Sequence, residues 1–243
     1  MTGGGGMGSS FDPDRIARLR EQLAKPPVPA GRPGTPVPQS GGSGNALKLL
    51  WQRAIVITLG FTGLLYGIEG VDVLTGDELN NAGVKPRSES GLIGILFAPL
   101  LHANWGHLIG NTLPVIVLGM LTLLTGIGRG LAATAIIWVI AGVGQWLTAP
   151  SGTVSLGASV LVFGWLTYLI CWGWFSRNVL QIAVGVGVGL LYGSIILGVL
   201  PGQPGISWQG HLFGAVGGVI AGWVLSGNER RHRRGADAGR LAS

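Results

Sequence analysis

Charge is scarce in this chain: only 11% of its 243 residues are Asp, Glu, Lys or Arg, against roughly 25% in a soluble domain. The scarcity is uneven, because between Glu89 and Glu229 the charged residues are Arg129 and Arg177 alone. No carboxylate falls in that stretch, which removes an aspartyl mechanism needing two acids and a metalloprotease base of the H-E-x-x-H kind. Cysteine is nearly absent: Cys171 is the single one, so no intramolecular disulfide can form. A cleavable signal is not expected either, since about 45 mostly polar residues precede the first apolar run.

Apolar runs fill the space that charge leaves, with 47% of residues hydrophobic. The expectation is an all-α polytopic membrane protein with no length left for a second large domain. Spans are predicted at 47–68, 105–127, 131–147, 159–175, 179–200 and 208–225, making six. Residues 69–89 read as a polar loop with five acidic and two basic residues, and 91–101 as an apolar segment too short to cross. Three regions follow: a disordered N-terminal tail at 1–46, a membrane domain at 47–226 and a basic C-terminal tail at 227–243. Within the first tail, Asp12-Pro13 with Ile16, Leu19 and Leu23 on one face predicts a short surface helix. The net charge of +6 lies largely in the tails, so the expected partners are the bilayer and its anionic headgroups, and no nucleic acid. The positive-inside rule places both tails in the cytoplasm and spans two, four and six running inward from the external face.

Polar side chains inside the apolar runs are the functional candidates. His102 and His107 stand at the start of the second predicted span, Ser159 at the start of the fourth and His211 at the start of the sixth. Parity alone gives them similar depth. Residues 148–156 are rich in Ser, Thr, Gly and Pro and do not read as helix, so Ser159 opens a helix whose beginning is sunk below the membrane face, beside a wet cavity. His107 and Asn111 share one helix face. His102 and His107 are five apart and diverge on a helix, which argues against a metal site. The sixth span carries glycine at 210, 214, 218 and 222, a stripe that lets a neighbouring helix approach closely.

The set His102-x4-His107-x3-Asn111, Gly157-Ala158-Ser159 and His211-x2-Gly214-x3-Gly218 resembles the rhomboid intramembrane serine proteases. The resemblance implies a six-transmembrane-helix bundle with a membrane-embedded first loop at 69–101 and a mobile cap at 198–208. It implies Ser159 as nucleophile and His211 as its general base, without a carboxylate. His107, Asn111 and the Ser159 N–H would form the oxyanion hole. Phe163 would pack on the catalytic histidine, with His102, Gly157, Gly214 and Gly218 supporting the site. Transmembrane proteins would be the substrates, no cofactor or metal would be needed, and a bacterial inner membrane would be the location. Val160 stands where the family usually has glycine, and the first loop lacks the family's frequent Trp-Arg pair. A non-cleaving relative that binds membrane-protein clients is therefore the second reading. A small transporter with histidines on a proton path is the third.

Overall fold

A computed structural model describes residues 41–202 and 206–227. The predicted surface helix near Ile16 and the arginine-rich C-terminal tail lie outside the described residues. Among those described, the chain is helical, with no strand beyond one isolated antiparallel bridge between Val84 and Ser155.

Seven α-helices follow in order among the described residues: α1 (Gly41–Leu74), α2 (Glu89–Phe97), α3 (Trp105–Leu124), α4 (Ile127–Thr148), α5 (Ser159–Ser176), α6 (Val179–Tyr192) and α7 (Trp208–Leu225). Short 3-10 segments lie at Glu78–Ala82, Ala98–Leu100 and Gly193–Val199. Side-chain caps set several starts: Ser88 accepts from Gly91 N, Asn104 from His107 N, Asn178 from Leu180 N and Ser207 from Gly210 N. Each cap satisfies an amide that the first turn leaves without a helical partner.

Among the described residues, four helices are long and apolar enough to cross a membrane: residues 44–74 of α1, then α3, α4 and α5. The chain is a multi-pass membrane protein. Of the six predicted spans, α6 is too short at 14 residues. In α7, five glycines together with Gln209 and His211 dilute the apolar content. The first span runs past its predicted end at residue 68. Glu69 and Asp72, expected in a solvated loop, are helical and only 3% and 2% exposed. Asp72 Oδ1 accepts the Leu79 amide at 2.7 Å, so this carboxylate closes the turn after the helix instead of facing solvent. The fifth span stops at Tyr192 rather than residue 200 and tightens into 3-10 helix, in a stretch loosened by repeated glycines. Arg129, just past the predicted end of the second span at residue 127, lies in the first turn of α4.

The core forms around α5. Two-thirds of it (67%) is buried, against 28–39% for the other three spanning helices. Leu161, Leu166 and Tyr168 are wholly enclosed. The nearest neighbour of α5 is α7, and glycine makes that contact possible. A Cβ on Gly214 would overlap the Val160 carbonyl oxygen, and one on Gly218 would overlap that of Gly164. Backbone therefore lies on backbone, gaining dispersion contacts that lipid tails cannot replace. Thr167 Oγ1 donates across the same seam to the Ala215 carbonyl at 2.8 Å.

Gly218→Leu is expected to force α5 and α7 apart and cost about 1–3 kcal/mol. Thermal unfolding in detergent, read by intrinsic tryptophan fluorescence, measures it.

Candidate active site

Helices α3, α5 and α7 all begin at one end of the bundle, and their first turns converge. Ser159 is the first residue of α5. The residue two before it, Gly157, has φ +123°, a conformation that L side chains rarely adopt. A Cβ there would also stand 2.7 Å from His107 Cε1 and 3.7 Å from Ser159 Oγ. Glycine at 157 thus keeps open a small space bounded by the imidazole of His107 and the hydroxyl of Ser159. The Gly157 amide donates to the Ala98 carbonyl at 2.8 Å, and the Ala158 amide reaches His102 Nε2 at 3.4 Å. His102 is 1% exposed and ties the loop before Ser159 to the segment that precedes α3.

His211, in the first turn of α7, brings Nε2 to 2.9 Å from Ser159 Oγ. Its Nδ1 lies 3.0 Å from the Gly198 carbonyl oxygen. A carbonyl only accepts, so Nδ1 carries the proton and Nε2 presents a lone pair to the serine hydroxyl. The ring is further held by Phe163, stacked at 4.0 Å between centroids with 12° between planes. On α3, Asn111 donates through Nδ2 to the His107 carbonyl at 2.9 Å, which leaves one amide hydrogen for another acceptor. Val160, standing where the resemblance has glycine, is buried with Cγ1 3.1 Å from the Cβ position of Gly210. The bulk added beside the serine is thus matched by a missing side chain on α7.

Several contributors were not legible beforehand. Gln145 is buried in α4 and donates to Ser207 Oγ at 3.2 Å; Ser155 Oγ lies 3.3 Å from the same atom. Ser207 caps α7, and its carbonyl accepts the amide of His211 at 3.3 Å. This network joins α4, the loop before α5 and the start of α7. The lone amide side chain of an otherwise apolar span was the available signal. The first loop is fastened by different residues from the missing Trp-Arg pair. Arg87 donates to the Leu147 carbonyl at 3.0 Å and to Ser151 Oγ at 2.6 Å, while Trp146 Nε1 donates to the Ser88 carbonyl at 2.9 Å. Val84 and Ser155 exchange backbone bonds of 2.8 and 3.0 Å, holding that loop against the one leading to Ser159. The cap predicted over 198–208 is described at 198–202 and 206–208; residues 203–205 lie outside the described set. Beside His107 a cavity of about 380 Å³ opens between the loop leading to Ser159 and the start of α7, with Ser155, Leu156, Ser207 and Gln209 in its walls.

The family model described as Rhomboid domain matches residues 89–228, more than half of the chain and the whole of this site. The chain belongs to the rhomboid family. An uncharacterised protein of Mycobacterium tuberculosis is 46% identical to this rhomboid over 213 residues, covering 84% of this chain and 87% of its own. An uncharacterised Mycobacterium leprae protein is 43% identical over 200 residues, covering 79% of each chain. More distant is rhomboid-like protein 11 of the Arabidopsis thaliana chloroplast, 28% identical over 160 residues, with 53% of this chain and 51% of its own covered. No solved structure matches significantly.

Gly157→Ala is expected to destabilise this rhomboid by about 1–3 kcal/mol through the strained φ and the clash with His107. The shift in thermal midpoint against wild type measures it.

Proposed function

We propose that the protein is an intramembrane serine endopeptidase that hydrolyses peptide bonds of transmembrane proteins. The observation that carries this reading is the Ser159–His211 bond of 2.9 Å, with Gly198 holding the far ring nitrogen. A serine hydroxyl is a weak nucleophile until an adjacent base accepts its proton, and His211 Nε2 is placed and in the right tautomer to do so. In the fuller serine triad a carboxylate orients the imidazole. Here a neutral carbonyl and the Phe163 face take that task.

The reaction then runs as acyl transfer. A substrate helix unwinds near the site, because a helical backbone ties up its carbonyls. Ser159 Oγ attacks the exposed carbonyl carbon while its proton passes to His211 Nε2. The tetrahedral oxyanion collects hydrogen bonds from the Ser159 N–H, the His107 ring and the spare Asn111 amide hydrogen. Each such donor is worth about 3–4 kcal/mol in the transition state. His211 returns the proton to the leaving amine, and the C–N bond breaks. Water entering through the cavity beside His107 gives a proton to His211 Nε2 and attacks the acyl carbon; the ester C–Oγ bond then breaks, and His211 returns the proton to Ser159 Oγ as the acid product leaves. This scheme uses protein groups alone and calls for no metal or cofactor.

Orientation follows from charge. Lys48, Arg53, Arg129 and Arg177 belong to the end of the bundle opposite Ser159, while Glu69, Asp72, Asp77, Glu78 and Glu89 belong to the end where Ser159 lies. The positive-inside rule then puts both tails in the cytoplasm and the catalytic end outside. The mycobacterial relatives support a bacterial cell membrane.

Val160 favours a second reading, a relative that holds membrane-protein clients without cleaving them. Cleavage of a model single-span substrate by purified protein decides between them. Ser159→Ala and His211→Ala are each expected to abolish turnover, and His107→Ala to lower kcat by about 10²–10³. Equal turnover by wild type and Ser159→Ala would sink the dyad. An inert wild type that gains activity on Val160→Gly would establish the client-binding reading.

A further inference from the structure

The cavity beside His107 has one polar wall that the chemistry at Ser159 leaves unused. Gln209, in the first turn of α7, lines it and is only 7% exposed. Among the described residues its side-chain amide has no hydrogen-bond partner. An amide so enclosed costs free energy until something pairs with it. Unlike His102 Nδ1, which is walled off without a partner, neither polar atom of Gln209 is wholly enclosed, so the cavity reaches the amide.

Ser155 and Ser207 stand in the same wall. Ser207 Oγ accepts from Gln145 Nε2 at 3.2 Å, from Ser155 Oγ at 3.3 Å and from the Gly210 amide at 3.4 Å. These bonds use its lone pairs, so its own O–H hydrogen has no acceptor among the described residues. Ser155, 5% exposed, gives its hydrogen to Ser207 and keeps its lone pairs. The wall thus offers unspent donors and acceptors side by side. No Asp, Glu, Lys or Arg lines the cavity, so a charged group entering it would meet no opposite charge. An aliphatic group would leave the Gln209 amide unpaired. The group that matches is neutral and carries both a donor and an acceptor, and a carboxamide does so with two bonds to Gln209 alone.

We propose that this wall is a specificity subsite for a carboxamide side chain, Asn or Gln, on the substrate residue whose carbonyl Ser159 attacks. That residue is indicated because His107, the expected oxyanion donor, borders the same cavity. At about 380 Å³ the cavity has room for the side chain and for the hydrolytic water. The inference rests on Ser159 being the nucleophile, and the test separates the two.

Gln, Met or Glu is placed in turn at each position around the helix-breaking residues of a model single-span substrate, and product masses identify the cleaved bond. With Gln on the acyl side of that bond, wild type is expected to show kcat/KM about tenfold above Met, the worth of pairing an otherwise unsatisfied amide. Glu should be disfavoured. Gln209→Met, which keeps the length of the side chain and removes the amide, should bring the Gln-to-Met ratio near one, and Ser155→Ala should reduce it. Equal kcat/KM for Gln and Met in wild type overturns the proposal, as does an unchanged ratio in Gln209→Met. Should Gln209→Met fail to elute as a single folded species, the wild-type ratio and Ser155→Ala decide the matter. The same substrates are titrated against Ser159→Ala in detergent, with binding read by fluorescence anisotropy. Tighter binding of a Gln substrate without cleavage by wild type ends the endopeptidase reading and keeps the subsite. Cleavage without a preference for Gln does the reverse, and no preference in either measurement overturns the subsite.

Discussion

Close approach of two backbones sets the geometry of this protein. Gly214 and Gly218 bring α7 against the carbonyl oxygens of Val160 and Gly164 in α5. In a membrane the hydrophobic effect does not drive one helix onto another, because lipid tails are as apolar as leucine. What remains is packing and polar bonding, and both improve as the axes draw together. The seam also fixes the distance between the first turns of α5 and α7, one carrying Ser159 and the other His211. Without side chains at 214 and 218, a hydroxyl and an imidazole 52 residues apart in sequence come within hydrogen-bond reach.

Holding Ser159 and His211 at this distance falls to a second set of contacts, most of them to backbone. Ala98 and His102 restrain the turn before Ser159 from one side, and the Val84–Ser155 bridge from another. Gln145 and Ser207 restrain the start of α7. Gly198, at the end of the 3-10 segment after α6, orients His211. The early end of α6 matters here: its carbonyls leave the α-helical ladder, and one of them serves the imidazole. A site built inside a membrane must satisfy nearly every polar group from within the protein, so the groups that position the dyad also close hydrogen bonds that lipid could not.

The two ends of the bundle are built differently. Around Ser159 the helix starts are pinned by caps, loop bridges and the Arg87–Trp146 anchorage. At the opposite end a cavity separates the start of α1 from its neighbours, with Thr125, Arg129 and Gln181 set among apolar side chains.

The amino-acid sequence by itself determined the class and the candidates. Long apolar runs with almost no charge between Glu89 and Glu229 force helices across a bilayer. Ser159, His107, His211 and the four-residue glycine period are legible because each is conspicuous against that background. Helix ends were less legible. Glu69 and Asp72 read as loop from their charge alone, since only the folded turn supplies the Leu79 amide that Asp72 accepts. The Gly198 carbonyl was not legible at all, because every residue carries a carbonyl and none is marked in sequence as the one left free. Nor were Gln145 with Ser207, or the Arg87 anchor, since their partners lie 62 and 60 residues away. Spacing along a chain says which residues share a helix face; which faces meet, and at what rotation, is decided when all the helices pack together.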